Sequence, residues 1–184
     1  MTAFSSDRDG FVDDLNFGDN VLNDRNRFGV RLQALYTPND DLSVRVIFDR
    51  SEIDEVCCAA ATRFSNFQSP ATGEFGTDAA FAAQGIPFFT GDQFFDRTIS
   101  LNSLPIATND DSGVSVEVNY DINDKYSFTS ITAVRQFESF DQIDSDFSAA
   151  DLIQTTNDAE TDSFSQELRI DFNGDKLHLS LIHI

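Results

Sequence analysis

Two adjacent cysteines, Cys57 and Cys58, have the most distinctive chemistry in the chain, and the sequence contains no others. Neighbouring thiols leave two states open, a vicinal disulfide and a pair of free thiols. A metal centre would need further sulfur, imidazole or carboxylate ligands at a metal-binding spacing, and none is arranged near this pair. The lack of further ligands therefore argues against a metal site. The sequence leaves open whether the two cysteines are oxidised or reduced.

No other set of residues predicts catalysis or metal binding. The two histidines, His178 and His183, lie near the C-terminus, and no serine and aspartate can be assigned to act with them. The acidic stretch around Gly10 is similar to a calcium loop, but Ser5 and Asn16 then occupy the first and last ligand positions, where carboxylates belong. We therefore predict no enzyme activity, no cofactor and no metal, and read the stretch as a turn at the end of a strand.

The acidity of the chain limits its partners. Twelve Lys and Arg residues face 32 Asp and Glu residues, which gives a formal net charge of -20. Such a charge repels nucleic-acid phosphates, so we predict no nucleic-acid partner. Self-repulsion also disfavours a compact soluble domain, so the charges should lie far apart, in loops or beside cations. Residues 136–168 carry acidic side chains and no Lys or Arg, and most of these acids are predicted to lie in an outer loop between residues 138 and 162.

Alternation of apolar and polar residues with a period of two predicts about five β-strands, near residues 28–36, 42–49, 114–120, 126–137 and 163–172. The predicted apolar face carries Phe28, Val30, Leu32, Val44, Val46, Val116, Val118, Leu168 and Ile170. The predicted polar face carries Arg31, Gln33, Arg45, Asp49, Glu117, Glu167 and Arg169. The stretch from Tyr36 to Val44 aligns without a gap with the stretch from Tyr120 to Phe128, which indicates a repeated hairpin, the unit of up-and-down β-structures.

The connections between these strands are predicted to alternate in length. Turns after Tyr36, Tyr120 and Phe172 are short, whereas the connections over residues 53–112 and 138–162 are longer. Short turns at one end and long loops at the other are typical of bacterial outer-membrane barrels, whose strands show apolar residues to lipid and polar residues to the lumen. Tyr36 and Tyr120 are then predicted to be aromatic residues at the membrane–water interface.

The long connection is rich in phenylalanine between residues 64 and 95. We interpret this segment as a loop that packs on itself or caps the barrel mouth, with contact to an apolar ligand as the alternative. Its alanine content predicts a short helix over residues 78–84.

Several stretches together resemble the early barrel of TonB-dependent receptors. They are Asp7-Arg-Asp-Gly-Phe-Val-Asp13, Asn23-Asp-Arg-Asn-Arg-Phe-Gly-Val-Arg31, Leu42-Ser-Val-Arg-Val46, Ser51-Glu-Ile-Asp-Glu55 with Cys57-Cys58, Phe128-Thr-Ser-Ile-Thr-Ala-Val-Arg135 and Glu160-Thr-Asp-Ser-Phe-Ser-Gln-Glu-Leu-Arg-Ile170. The resemblance covers most of the chain outside about residues 64–105. Sequences of this family with the doublet place it in an extracellular, oxidising loop, so the resemblance implies a loop position for Cys57 and Cys58, with a loop disulfide and free thiols both open.

The resemblance implies a fold, a function and a location. The complete family forms a barrel of about 22 strands with a plugged lumen in the outer membrane of Gram-negative bacteria. It imports a siderophore, vitamin B12 or an oligosaccharide with energy delivered by the TonB system, in contact with outer-membrane lipid. This chain departs from the family pattern because it has no plug domain, no energy-coupling box and no closing C-terminal strand. We therefore expect a fragment of an all-β, antiparallel, up-and-down transmembrane barrel with short periplasmic turns and long extracellular loops.

Two rival functions remain open from the sequence. A passive porin-like barrel shares the alternation and the loop asymmetry. A secreted acidic β-protein that binds calcium or sugar would instead bury the apolar faces of its strands in one core.

The two ends of the sequence suggest truncation. The N-terminus has neither a basic start nor an apolar core of the kind found in signal peptides. Residues 179–184 match the translation of a common sequencing adaptor, and a strand that arises by coincidence is the alternative. We therefore expect residues 1–178 to be a partial receptor barrel and exclude the last six residues from the fold prediction.

Overall fold

The computed structural model of the chain describes residues 1–63, 81, 83–87, 89 and 91–184. Its strands are β1 (Thr2–Arg8), β2 (Val12–Asp14), β3 (Gly18–Leu22), β4 (Arg25–Asn39), β5 (Leu42–Glu55), β6 (Thr98–Ile99), β7 (Ile106–Asn123), β8 (Tyr126–Asp144), β9 (Gln154–Asn173) and β10 (His178–His183). A short 3-10 helix spans Gly91–Asp96. Of the predicted helix over residues 78–84, residues 81 and 83 are helical, whereas residues 78–80 and 82 and most of the phenylalanine-rich segment lie outside the described residues.

Seven strands form one large sheet in the order β1-β4-β5-β7-β8-β9-β10, and every neighbouring pair is antiparallel. The five predicted strands are its central members β4, β5, β7, β8 and β9. Consecutive strands of this sheet lie side by side, so the all-β, antiparallel, up-and-down prediction is confirmed.

The connections of the large sheet differ between its two ends. At one end the turns cover residues 40–41, 124–125 and 174–177, and at the other end the connections cover residues 9–24, 56–105 and 145–153. Asn39 and Asn123 each accept, through Oδ1, two backbone N–H groups of the turn that follows. Asparagine is favoured in turns for this reason, which explains why these two connections are so tight.

The prediction of an outer loop between residues 138 and 162 is wrong, because the connection between β8 and β9 covers only residues 145–153. β8 and β9 pair continuously from Tyr126↔Phe172 to Asp144↔Gln154, and Glu138 lies opposite Glu160 in this ladder. Most of the acidic side chains assigned to the loop therefore lie on strands. The strands are also longer than predicted, because their polar ends continue the ladder beyond the apolar positions.

Two edge strands of the large sheet lie outside the five predicted strands. β1 pairs with β4, and β10, which covers most of the six residues excluded from the fold prediction, pairs with β9. β10 is exposed along its whole length. The alternation in β1 is too short to have indicated a strand, whereas the segment of β10 was excluded because it matches a sequencing adaptor, with a strand as the alternative.

A second, three-stranded sheet lies among the long connections, in the order β3-β2-β6. Its buried cluster consists of Leu22, Ile99 and Leu101, with Val12, Val21, Val56, Ala59, Ala61 and Leu104 packed around it. We call this assembly the cap. Among the described residues, the buried hydrophobic cluster thus belongs to the cap, whereas the large sheet shows apolar side chains at its surface. No helix in the described part of the chain is both long and apolar enough to cross a membrane.

Candidate functional site

One face of the large sheet, here called the apolar face, carries all nine residues predicted to face lipid. The register places them together in cross-strand rows, such as Tyr36–Val44–Val118–Ser130–Leu168 and Leu32–Phe48–Val114–Val134–Phe164. Leu32, Val46 and Ile170 are 42%, 40% and 45% exposed, so these side chains do not meet in a dry core. In the described structure the apolar face of the sheet is uncovered.

The apolar rows form a belt of limited height. It extends on β8 from Tyr126, beside the short turns, to Val134. Eight residue steps of about 3.4 Å give roughly 27 Å along the strand. A strand tilted by about 40° would then give a belt roughly 20 Å tall, close to the apolar band of about 25 Å in outer-membrane barrels.

Aromatic rings border this belt at the end with the short turns. Tyr36 and Tyr120 lie on the apolar face and are exposed, and their place at a membrane interface stays a prediction. Tyr126 lies at the same end, exposed, with its ring centroid 5.0 Å from that of Phe172. The period-two alternation around Tyr126 could have indicated this third tyrosine.

A small polar cluster interrupts the belt between β8 and β9. Gln166 Nε2 donates to Ser130 Oγ and to the carbonyl oxygen of Ile131, each at 3.1 Å, and Thr132 Oγ1 donates to Gln166 Oε1 at 2.7 Å. The amide group therefore has partners for both of its polar atoms. Each side chain of the cluster, Ser130, Thr132 and Gln166, thus makes at least one hydrogen bond within it.

The opposite face, here called the polar face, carries all seven residues predicted to line the lumen, Arg31, Gln33, Arg45, Asp49, Glu117, Glu167 and Arg169. Two ion pairs join predicted residues across neighbouring strands. Arg31 lies 3.8 Å from Asp49, and Arg45 lies 3.6 Å from Glu117. Arg169 pairs with Asp171 on its own strand at 3.4 Å, while Gln33 and Glu167 lie opposite Ile47 and Ile131 in the ladder.

The centre of the polar face is Arg135, which the prediction did not include. Its guanidinium contacts Asp111 and also reaches Asp49 at 2.7 Å. Gly113 lies between Asp49 and Arg135 in the same row, and a Cβ atom there would stand 3.3 Å from the guanidinium carbon. The absence of a side chain at Gly113 thus leaves room for Arg135 to cross a strand. Continued period-two counting along β8 would have placed Arg135 on this face.

Beyond the belt, the apolar face becomes acidic. Glu52, Asp110, Glu138 and Glu160 form one cross-strand row on β5, β7, β8 and β9. Arg50 contacts two of them, Glu52 at 2.6 Å and Asp110 at 2.7 Å. Carboxylates directly opposite each other destabilise a sheet, so this row lowers the stability of the large sheet. Arg50 offsets the repulsion only at Glu52 and Asp110.

A buried carboxylate with a close cationic partner lies at the far end of β5, seven residues past Phe48. Glu55 is 5% exposed, and its two oxygens accept hydrogen bonds from Arg27 at 2.5 and 3.0 Å. The paired hydrogen bond from Arg27 holds the pKa of Glu55 below its ordinary value, against the effect of burial. This two-point contact fastens β4 to β5 where the cap begins.

Cys57 and Cys58 form a disulfide with each other, in the connection that follows β5. Both ends of the turn are bound by the residues before β4. Asp24 Oδ1 accepts the N–H of Val56 at 2.7 Å, and Asn23 contacts both backbone groups of Ala59, at 2.9 and 3.0 Å. The disulfide therefore lies in a turn that neighbouring polar side chains already hold against the cap.

Residues 100–104, here called the strap, are the part of the cap that leads into the large sheet, and Leu101 belongs to the buried cluster of the cap. From the cap, Asp14 Oδ2 accepts the N–H of Leu101 at 2.8 Å, and Asn16 Nδ2 donates to the carbonyl oxygen of Leu101 at 2.7 Å. From the end of β8, Asp144 Oδ2 accepts the N–H of Asn102 at 3.2 Å. Two buried carboxylates thus bind consecutive amides of the strap.

The region around Gly10 is a turn between β1 and β2. A Cβ atom at Gly10 would lie 2.4 Å from the carbonyl oxygen of Asn20, so the close backbone approach requires glycine. In the described residues, no group of three or more His, Cys, Asp or Glu side chains is placed to hold a metal ion.

Comparison with protein-family models, with curated proteins and with solved structures finds no match for this chain.

Proposed function

We propose that this chain forms part of the wall of an outer-membrane β-barrel of the TonB-dependent receptor type. In the complete protein such a wall contributes to active uptake of a siderophore, vitamin B12 or an oligosaccharide, with energy from the TonB system. The proposed partners are outer-membrane lipid on the apolar face and a small imported ligand within the barrel. No catalytic role is proposed.

One observation carries the membrane part of this proposal. The large sheet exposes a belt of apolar side chains on one face and ion pairs on the other, with aromatic rings at one border of the belt. A soluble sandwich would cover the apolar face with a second layer. A lipid bilayer covers it in an outer-membrane barrel, where lipid-facing and lumen-facing residues alternate along each strand.

The assignment to receptors rather than porins depends on the sequence stretches named above. The long connections and the cap lie at one end of the sheet, as extracellular loops do in this class. A passive porin shares these features, and the sequence upstream of residue 1 would distinguish the two, because a receptor carries a plug domain there.

The membrane proposal can be tested by a single-cysteine scan along β7. Residues 114–119 are replaced one at a time by cysteine in a Cys57→Ser, Cys58→Ser background and labelled with an environment-sensitive fluorophore in lipid vesicles. We expect nitroxide-labelled lipids to quench labels at residues 114, 116 and 118 strongly, and labels at residues 115, 117 and 119 weakly. This alternation follows from the period of two along a strand with one face in lipid.

Two results would refute the membrane proposal. Labels on both faces could be equally resistant to quenching by lipid, or the chain could purify without detergent as a soluble monomer. The second result would favour the secreted acidic β-protein. As a matched control, labels in the short turn at residues 124 and 125 should remain accessible to water-soluble quenchers.

A further inference from the structure

The strap is fastened to β8 by a carboxylate that is incompletely paired. Asp144 is the last residue of β8 and is 1% exposed. Its Oδ2 accepts the N–H of Asn102, but its Oδ1 has no hydrogen-bond partner among the described residues. The backbone N–H groups of Asp146 and Phe147 also stabilise the carboxylate, but an ionised oxygen with no hydrogen bond of its own is costly when buried, so the contact is incomplete while Asp144 is charged.

The charged groups around Asp144 are all acidic. Asp146 follows it in the connection to β9, Asp151 accepts a hydrogen bond from Asn102 Nδ2 at 3.2 Å, and Asp14 binds the adjoining amide of Leu101 from the cap. In the described part of the chain, none of these four carboxylates takes part in an ion pair. No cationic side chain there compensates the buried charge.

A proton or a cation could complete the contact. A cation is disfavoured because no group of three or more ligating side chains is placed to hold one in the described residues. The oxygens of Asp146 are already engaged, since Oδ1 accepts the hydroxyl of Ser148 and Oδ2 accepts the N–H of Ile153 at 3.0 Å. A proton on Asp144 needs no further ligands and removes the buried charge, while Oδ2 can still accept the N–H of Asn102.

We propose that Asp144 is a proton-operated latch, which fastens the strap and the cap to the end of β8 when it is protonated and loosens them when it is ionised. The latch goes beyond the membrane role and does not depend on it. Asp144 lies ten residues past Val134, well outside the apolar belt.

The direction of the pH effect follows from the position of the group. Burial raises the pKa of Asp144 above its ordinary value of 3.8, and the charge of Asp146 adds to the rise, while backbone N–H groups, led by that of Asn102, oppose it. The folded state therefore binds the proton more readily than the unfolded state. The strap becomes more stable as pH falls through the raised pKa, and gains nothing further below 3.8, where both states are protonated.

Hydrogen–deuterium exchange of the full chain, read by mass spectrometry, tests the latch. Labelling times are scaled so that the intrinsic pH dependence of exchange is removed. In peptides covering the strap, we expect several-fold stronger protection at mildly acidic than at mildly alkaline pH. In the variant Asp144→Asn, residue 144 cannot ionise but keeps an acceptor for the N–H of Asn102. Peptides covering the strap should then be strongly protected from exchange at both pH values.

A matched control separates this effect from the loss of any negative charge. Asp158→Asn removes one charge from an exposed position on β9 and should keep the pH dependence of the wild type. The proposal is overturned if Asp144→Asn retains that dependence, or if Asp158→Asn abolishes it.

Two further measurements use the wild-type chain, so they test the proposal even if a variant fails to fold. The carboxyl carbon signal of Asp144, followed by NMR against pH, should titrate above the ordinary range of aspartate, and titration at or below that range overturns the latch. Calcium ions at mildly alkaline pH should leave strap protection unchanged. Protection by calcium equal to that by acid would mean that a cation and not a proton completes the contact.

Discussion

Among single residues, the buried carboxylate of Glu55 is stabilised mainly by the guanidinium of Arg27. It is almost fully buried, whereas Arg27, which donates to both of its oxygens, has a side chain that is 42% exposed. We expect Arg27→Met to lower the free energy of unfolding at neutral pH by about 1–3 kcal/mol, because a buried carboxylate then loses two hydrogen bonds and keeps only the weaker support of the Asn26 N–H and the charge of Arg25. The loss should be smaller than for a fully buried ion pair, since solvent reaches Arg27.

The pH dependence of this variant has a defined sign. Arg27 lowers the pKa of Glu55, so its contribution to stability is complete above the ordinary value of 4.5 and disappears as pH falls through the lowered value. Denaturant unfolding midpoints of wild type and variant should therefore converge in acid. Arg31→Met, which removes an exposed pair with Asp49 at 3.8 Å, should cost less than about 1 kcal/mol. Equal costs for the two variants, or a pH-independent gap, would contradict the assignment.

Among elements, the sequence was informative wherever apolar and polar residues alternate. Leu32, Val46 and Val118 were placed on one face because of this alternation, and the register bears this out. The alternation stops where both faces turn polar, as at Arg50 on β5 and Gln136 on β8, so the strand ends were predicted as loops. Backbone pairing, which is independent of side-chain polarity, continues through these ends.

The contacts of the candidate site were less predictable than its faces. Arg45 and Glu117 were assigned to the same face from their places in the period-two alternation alone. Their ion pair depends also on which strands are neighbours and in what register they pair. Arg135 reaches Asp49 across Gly113, where a side chain would crowd the guanidinium. The strap contact of Asp144 joins residues 42 positions apart, which no local pattern indicates.

The polar cluster between β8 and β9 allows a prediction for this pair of strands. Gln166→Leu removes the partner of Ser130 and Thr132 within the apolar belt. In lipid, we expect it to cost about 1 kcal/mol, because two hydroxyl groups then lose a hydrogen bond in an apolar setting. The triple variant Ser130→Ala, Thr132→Val, Gln166→Leu should regain or exceed wild-type stability, measured by urea unfolding in vesicles. If the single variant is neutral and the triple variant aggregates, this part of the face contacts water.

For the whole molecule, the net charge of -20 is distributed differently from the prediction. The acids were expected mainly in solvated loops, where repulsion is weak, but many of them lie on strands at fixed cross-strand distances. In the row Glu52–Asp110–Glu138–Glu160, one cation, Arg50, contacts the first two residues. The end of the large sheet near the long connections therefore holds like charges close together, and the apolar belt does not.

This arrangement predicts that stability rises with ionic strength and that Glu138 is responsible for part of the effect. Salt shortens the screening length from about 30 Å at 0.01 M to about 10 Å at 0.1 M. Glu138→Gln, in the middle of the row, should raise the free energy of unfolding by up to about 1 kcal/mol at low salt, because like charges opposite each other are destabilising. The gain should shrink at high salt, as measured by denaturant midpoints over a sodium chloride series. Asp175→Asn removes one charge at the opposite end of the sheet, beside Lys176, and should give no such gain, so an equal gain in both variants would trace the effect to total charge and not to the row.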